Sequence, residues 1–68
     1  MKEIRDYKSR IACLADAATG KIEILYKKHK TIMTIPVGGI VRIEREDVVT
    51  IIERSEEKFL IERITKTV

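Results

Sequence analysis

The chain has 68 residues, a net charge of +3, one cysteine, one phenylalanine, two tyrosines and no tryptophan. This length leaves room for a single small domain over residues 1–68, and its core must be mainly aliphatic. A lone cysteine excludes an internal disulfide and, with one histidine, is too small a ligand set for a structural zinc site. We therefore expect a reducing, cytoplasmic location and no metal or cofactor. The longest uncharged apolar run, residues 11–15, is too short to predict a signal peptide or a membrane span.

Residues 1–20 fit two different structures. Five apolar side chains recur at helical spacing: Ile4, Tyr7, Ile11, Leu14 and Ala18. Alternatively, residues 10–15 form a strand and residues 16–20 a turn, in which Asp16 caps the loop and Gly20 adopts a positive φ. We favour the hairpin, because it gives the next strand a pairing partner. A helix packed on the sheet is the alternative, and residues 1–8 are expected to be disordered or helical.

Residues 21–37 predict a second hairpin. Ile22, Ile24 and Tyr26 alternate with other residues in a strand at 21–26, and an apolar, Thr-containing strand follows at 31–37. The charged run at 27–30 lies between these strands and suits a hairpin loop. Pro36 has no backbone N–H, so we expect it at a strand end or on an edge. The glycine pair at 38–39 is then expected to form a turn.

The tripeptide Ile-Glu-Arg occurs three times at a spacing of nine residues, at 43–45, 52–54 and 61–63. Nine residues fit one short strand plus one tight turn, which predicts strands at roughly 40–45, 48–54 and 59–64. The expected registers pair Val41 with Ile52, Ile43 with Thr50, Ile52 with Ile61 and Arg54 with Phe59. The three isoleucines then share one face and the three glutamates the other, where we expect charge pairs with the neighbouring arginines. The run at 48–52 is apolar on both faces, so this strand is predicted to be central.

Positive charge is concentrated early in the chain. Residues 1–34 hold eight Lys and Arg against four Asp and Glu, whereas residues 35–68 hold six against seven. Three closely spaced lysines and one before them form the candidate nucleic-acid-binding site: Lys27, Lys28, Lys30 and Lys21, with Lys8 and Arg10 as further cations. The alternative, which we favour, is a solvated loop whose lysines discourage edge pairing. Nucleic-acid binding usually needs aromatic stacking surfaces, and Tyr26 and Phe59 are expected in the core.

No pattern of residues predicts catalysis. His29 is flanked by lysines, which is typical of an exposed loop histidine, and Cys13 lies in an apolar run, which is typical of a buried core cysteine. Glu44, Glu53 and Glu62 are expected to form a solvated charge ladder rather than an acid–base pair. We therefore assign no catalytic residue and expect a protein that is not an enzyme.

Together these patterns predict an all-β fold. We expect an antiparallel meander of five to six strands that curls into a small, SH3-like, partly open barrel. The predicted function is a non-enzymatic binding or interaction module with an unknown protein partner. The alternative is a weak, sequence-tolerant nucleic-acid-binding protein that uses the loop at 27–30. A homodimer formed through an exposed strand edge is a further alternative, and no membrane interaction is expected.

Overall fold

The structure, a computed structural model, describes residues 1–66 and contains two antiparallel sheets. The strands in chain order are β1 (Lys2–Arg5), β2 (Ile11–Asp16), β3 (Lys21–Tyr26), β4 (His29–Thr34), β5 (Ile40–Arg45), β6 (Val48–Arg54) and β7 (Phe59–Thr65). The first sheet has the order β1-β2-β3-β4 and the second the order β5-β6-β7. No helix occurs within residues 1–66. The predicted all-β class is therefore confirmed.

The hairpin between β2 and β3 confirms the favoured structure of residues 10–20. The Asp16 carboxylate accepts a hydrogen bond from the Ala18 N–H at 3.0 Å, and Gly20 has a φ of +82°. The helix alternative is wrong, and so is the expectation that residues 1–8 are disordered or helical, because residues 2–5 form β1. Ile4 lies opposite Cys13 in the β1–β2 ladder, and both side chains are buried. Of the five apolar residues at helical spacing only Ile4 is buried, Leu14 is half-buried and the other three are exposed, so this spacing does not mark a buried face.

The nine-residue repeat predicts the second sheet correctly. Val41 pairs with Ile52 and Ile43 with Thr50 in the β5–β6 ladder. Ile52 pairs with Ile61 and Arg54 with Phe59 in the β6–β7 ladder. The strand β6 is central in its sheet, and the residues at 48–50 and Ile52 are buried. This register buries Ile43 and Ile52 in the core, and it therefore fixes the pairing of the whole sheet.

The hydrophobic core draws on both sheets and is aliphatic, as expected. Its buried members are Ile4, Ala12, Cys13, Ala15, Ile22, Ile35, Ile43 and Ile52. Phe59 packs against this cluster and is half-buried. Because the core shares residues from both sheets, the two sheets form one structural unit.

The arginines of the repeat do not form the predicted charge ladder. Each lies two residues after its isoleucine and so shares the core-side face, from which it donates to backbone carbonyl oxygens of the first sheet or its loops. Arg45 donates to Ile11 (3.0 Å) and Leu25 (3.3 Å), Arg54 to Ile35 (2.9 Å) and Ala18 (3.3 Å), and Arg63 to Arg5 (2.6 Å). On the opposite face, Glu44 pairs with Lys66 at 3.1 Å and with Arg42 at 3.5 Å. The repeat therefore supplies two core isoleucines, Ile43 and Ile52, and three arginines that join the sheets.

The strand number and the barrel need correction. Residues 1–66 form seven strands instead of the expected five or six, because β1 adds an edge strand that the sequence pattern did not indicate. The meander is also interrupted, since β4 and β5 are not paired. Pro36 follows β4 and accepts through its carbonyl oxygen from the Gly39 N–H at 2.8 Å, in the predicted glycine turn. This turn separates the sheets, and the described strands form no closed barrel.

Candidate functional site

The basic run at 27–30 lies at the tip of the β3–β4 hairpin, but it is not a four-residue loop. Only Lys27 and Lys28 form the turn, with φ values of 49° and 69°, and His29 and Lys30 begin β4. Two successive positive φ values match a two-residue turn whose twist suits the flanking strands. The sequence did not indicate this turn, because such positions favour Asn and Gly rather than Lys. His29 is exposed, as expected, although it lies in a strand.

The structure does not bring the four candidate lysines together. Lys30 forms an ion pair with Glu23 at 2.9 Å. Lys21 pairs with Thr34 at the far end of the same hairpin, so about five strand residues, roughly 17 Å, separate it from the turn. The further cations, Lys8 and Arg10, lie in the β1–β2 loop. Only Lys27 and Lys28 remain as a cationic pair at the hairpin tip.

The two cations of the β1–β2 loop are occupied by acidic groups. Lys8 forms an ion pair with Asp47, and Arg10 Nε lies 3.1 Å from the carboxylate of buried Asp6. Asp6 also accepts from the backbone N–H groups of Lys8 (2.9 Å) and Arg10 (3.0 Å). Burial raises the pKa of Asp6, but these hydrogen bonds and the Arg10 charge outweigh it and hold the pKa below its usual value. This cluster therefore shapes the loop.

Tyr26 does not lie in the core, contrary to expectation. Its side chain is 41% exposed, and burial on this face of β3 falls from Ile22 through Ile24 to Tyr26 as the strand approaches the turn. The Arg45 guanidinium lies 4.8 Å and the Lys27 ammonium 5.4 Å from the ring centroid. Both distances are within the range of cation–π contacts. Cations of this chain therefore already contact the ring that a nucleic-acid base would use for stacking.

The strand β4 is exposed on both faces. On the core-side face His29 and Thr31 are exposed, and only Met33 is half-buried. On the outer face Ile32 is 55% exposed, and the neighbouring Leu25 in β3 is 66% exposed. Two large exposed apolar side chains thus share the outer face of the first sheet, as diagonal neighbours in the β3–β4 ladder. In a chain with such a small core, these side chains are available for contact with another molecule.

The outer edge of β4 is unpaired within the described part of the chain. In a two-residue hairpin the residues next to the turn exchange hydrogen bonds, so His29, Thr31 and Met33 direct their backbone groups towards β3. The bond from the Ile35 N–H to the Gly20 carbonyl oxygen, at 3.0 Å, continues this alternation. Lys30, Ile32 and Thr34 therefore direct their N–H and C=O groups away from the sheet. This row of donors and acceptors is a template for strand addition.

A shallow groove lies beside the same hairpin, where β2 and β3 separate. Their pairing covers only Leu14–Asp16 and Lys21–Glu23, and Arg45 bridges the carbonyls of Ile11 and Leu25 beyond it. The groove has a volume of about 600 Å³ and is lined mainly by apolar side chains of these strands. Glu3, Glu23 and Lys30 supply its charged groups. The residues that line the groove include no histidine and no hydroxyl side chain, so they offer no hydroxyl–imidazole pair for nucleophilic catalysis.

Cys13 lines this groove, yet its side chain is buried, as expected. Burial raises the pKa of the Cys13 thiol to about 11. The thiol therefore stays protonated near neutral pH and lacks the thiolate character of a nucleophile.

Within residues 1–66, no three His, Cys, Asp or Glu side chains are placed to hold a metal ion. The same residues include no helix that is long and apolar enough to span a membrane.

Comparisons of the chain with known protein families, with curated proteins and with solved structures gave no match. The β3–β4 hairpin, residues 21–34, is therefore assigned as the candidate site from its geometry alone. The sequence indicates this hairpin as a candidate site only through its lysines. Its open edge and its exposed apolar pair depend on which strand lies at the end of the sheet.

Proposed function

We propose that the protein is a non-enzymatic interaction module that binds another polypeptide by strand addition to β4. The observation that carries this proposal is the unpaired edge of Lys30, Ile32 and Thr34 beside the exposed side chains of Leu25 and Ile32. Backbone hydrogen bonds supply affinity in such complexes, and alternate side chains supply specificity. The ion pair of Lys30 with Glu23 leaves little free charge to repel an incoming strand.

The test is capture of partners from a cell lysate with the wild-type protein and with Ile32→Pro, each with and without nuclease. Proline at position 32 removes an outward N–H, and the β3–β4 ladder does not use that group. The matched control is Ile40→Pro, because Ile40 is also exposed and begins the edge strand β5. Nuclease-resistant capture that is lost only in Ile32→Pro supports the proposal. Capture that is unchanged in Ile32→Pro contradicts it.

A second candidate is weak, sequence-tolerant nucleic-acid binding by the hairpin tip. It is favoured by one observation: Lys27 and Lys28 directly follow Tyr26, whose side chain is exposed rather than buried. Binding through two or three phosphates predicts that log K falls against log salt with a slope of about −2 to −3. Neutralising Lys27, Lys28 and Lys30 together should remove most of this slope. The wild type binding an oligomer no better than the triple variant would reject this candidate.

We propose also that the sheets are halves of an SH3-like, partly open barrel. The shared core supports this, as does a groove between β1 and β7 that is lined by Ile4, Phe59, Ile61 and their neighbours. Arg63, which also lines that groove, donates a hydrogen bond to the Arg5 carbonyl oxygen and so links β7 to β1. Amide-to-amide contacts between β1 and β7 in solution would support the barrel, and their absence would leave two separate sheets.

We propose a reducing, cytoplasmic location for the protein. The support is the lone Cys13, which is a free buried thiol in the structure. Cell fractionation of the tagged protein tests this location, and recovery from an oxidising compartment would contradict it.

A further inference from the structure

We propose that the strand added to β4 is β4 of a second copy of this chain, antiparallel, with Ile32 directly opposite Ile32. This proposal rests on the proposed function and names its partner. The two copies would be related by a two-fold axis that passes between the paired Ile32 residues and runs perpendicular to the sheet. The first sheets of both copies would then join into one continuous sheet.

The backbone of β4 selects this register. Residues that pair across a continuous sheet must have their side chains on the same face. Along the length of β4, the symmetry axis must therefore lie level with one residue and not midway between two successive residues. Centring on Ile32 places Lys30 opposite Thr34 and uses every outward-directed residue of β4. Centring on Thr31 would place Thr34 opposite Lys28, whose φ of 69° is not that of an extended strand. Beyond Thr34, Pro36 has no N–H, and the ladder ends there.

The side chains agree with the same register. On the outer face the central pair is Ile32 with Ile32, and each Lys30 faces an uncharged threonine instead of another lysine. On the core-side face Thr31 lies opposite Met33, so no like charges oppose each other there either. Contact between the two copies would cover Ile32, which is 55% exposed in the single chain. Glu23 stays beside Lys30 and keeps its ion pair.

The other three edges are less suited to self-pairing. β5 directs the backbone of Ile40, Arg42 and Glu44 outward, so pairing centred on its midpoint would place Arg42 opposite Arg42. β1 has four residues, and its pairing with β2 shifts register between Ile4 and Arg5. β7 is tied to β1 by the bond from Arg63 Nε to the Arg5 carbonyl oxygen. Only β4 offers a straight edge that is free of opposed like charges.

The experiment measures self-association of the full chain by sedimentation velocity and by NMR diffusion between about 10 µM and 2 mM. A short edge contact is small, so the expected dissociation constant is on the order of 100 µM or weaker. Ile32→Lys and Ile32→Glu should each weaken dimerisation at least tenfold, because like charges then lie opposite each other. An equimolar mixture of these variants should regain association, since Lys then faces Glu. Ile40→Lys, an equivalent change on the β5 edge, should behave as the wild type.

A wild type that stays monomeric to about 2 mM overturns the proposal, as does Ile32→Lys that dimerises like the wild type. Failure of the mixture to regain association overturns the register. The lysate experiment distinguishes this failure from that of the proposed function. If the wild type is monomeric but Ile32→Pro still loses its captured proteins, only the second copy is wrong as partner. If the wild type is monomeric and capture is unaffected, strand addition itself is wrong.

Discussion

Arg54 Nη1 donates a hydrogen bond of 2.9 Å to the carbonyl oxygen of Ile35, which joins the central strand of the second sheet to the segment after β4. The same guanidinium reaches the Ala18 carbonyl oxygen at 3.3 Å. Gly20 makes room for this arrangement, because a Cβ at that position would lie 2.4 Å from both Arg54 Nη1 and the Ile35 oxygen. The contact between the sheets thus depends on an arginine and on the absence of a side chain.

Replacing Arg54 by Ala should lower the free energy of unfolding by about 1–3 kcal/mol, because carbonyl groups lose charged donors. The measurement is urea denaturation followed by circular dichroism. Arg42→Ala is the control, since Arg42 is exposed and, among the described residues, forms an ion pair with the exposed Glu44; this substitution should cost less than about 0.5 kcal/mol. Equal effects of the two substitutions would show that Arg54 does not join the sheets.

Gly20→Ala and Gly38→Ala form a matched pair. Both glycines have a positive φ, +82° and +87°, which costs an alanine about 1–2 kcal/mol. A Cβ at Gly20 also meets the backbone of Ile35, whereas one at Gly38 meets nothing within 4 Å. We therefore expect Gly20→Ala to lower the free energy of unfolding by about 2–4 kcal/mol, because overpacking adds to the backbone strain. Gly38→Ala should lower the free energy of unfolding only by the cost of the backbone strain. Equal decreases of the denaturant midpoint in the two variants would contradict the close packing at Gly20.

Asp6 should make the fold sensitive to acid. The pKa of Asp6 lies below the usual 3.8 in the folded protein. The ionised carboxylate therefore stabilises the fold at pH values above the pKa that Asp6 has in the unfolded chain, and this stabilisation is lost as the pH falls through the pKa of the folded state. Urea denaturation at several pH values should show a decline below about pH 4 that is smaller in Asp6→Asn. Glu44→Gln is the control, because its exposed ion pairs are screened by water. An unchanged decline in Asp6→Asn would exclude Asp6 as the cause.

Cys13 should resist thiol reagents in the native protein. Its thiol is buried and its pKa is raised to about 11, so little thiolate is present below pH 9. We expect labelling with a disulfide reagent at pH 8 to be at least tenfold slower in the native protein than in urea. A labelling rate in the native protein equal to the rate in urea would show that the β2 strand is open.

Burial of Cys13 should also make the fold sensitive to alkaline pH. Because burial favours the neutral thiol, the folded protein should lose stability as the pH rises above about 9, where the Cys13 thiol of the unfolded chain ionises.

The sequence predicted the second sheet better than the first, for a physical reason. Ile43, Ile52 and Ile61 recur at the period of one strand plus one turn, and a slip of one residue would turn all three, including the buried Ile43 and Ile52, away from the core-side face. The register followed from that constraint. β1 has four residues and one buried apolar side chain, so no periodicity distinguishes it from a helix or a coil. The turn at Lys27-Lys28 uses positive φ values that lysine rarely adopts, and the sequence therefore suggested a longer loop.

The candidate site was only partly predictable. Lys27 and Lys28 were found from their charge, and they do lie at a hairpin tip. The open edge of β4 was not found, because a sequence pattern identifies strands but not which one lies last in the sheet. Tyr26 has the alternation of a core residue, yet it lies at the end of β3 where burial on the core-side face has fallen away. How far burial extends along a strand is a tertiary property that the alternation of residues does not encode.

The interruption between β4 and β5 also bears on how the chain folds. Every ladder joins strands that are adjacent in sequence, so each sheet forms from contacts that close short loops. No ladder requires pairing between strands that are distant in sequence. Contacts between the sheets, including those of Arg45, Arg54 and Arg63, span 19 to 58 residues and require both sheets to be near their final positions. Sheet formation should therefore come early in folding, and docking of the two sheets, with the arginines meeting their carbonyls, should be its last step.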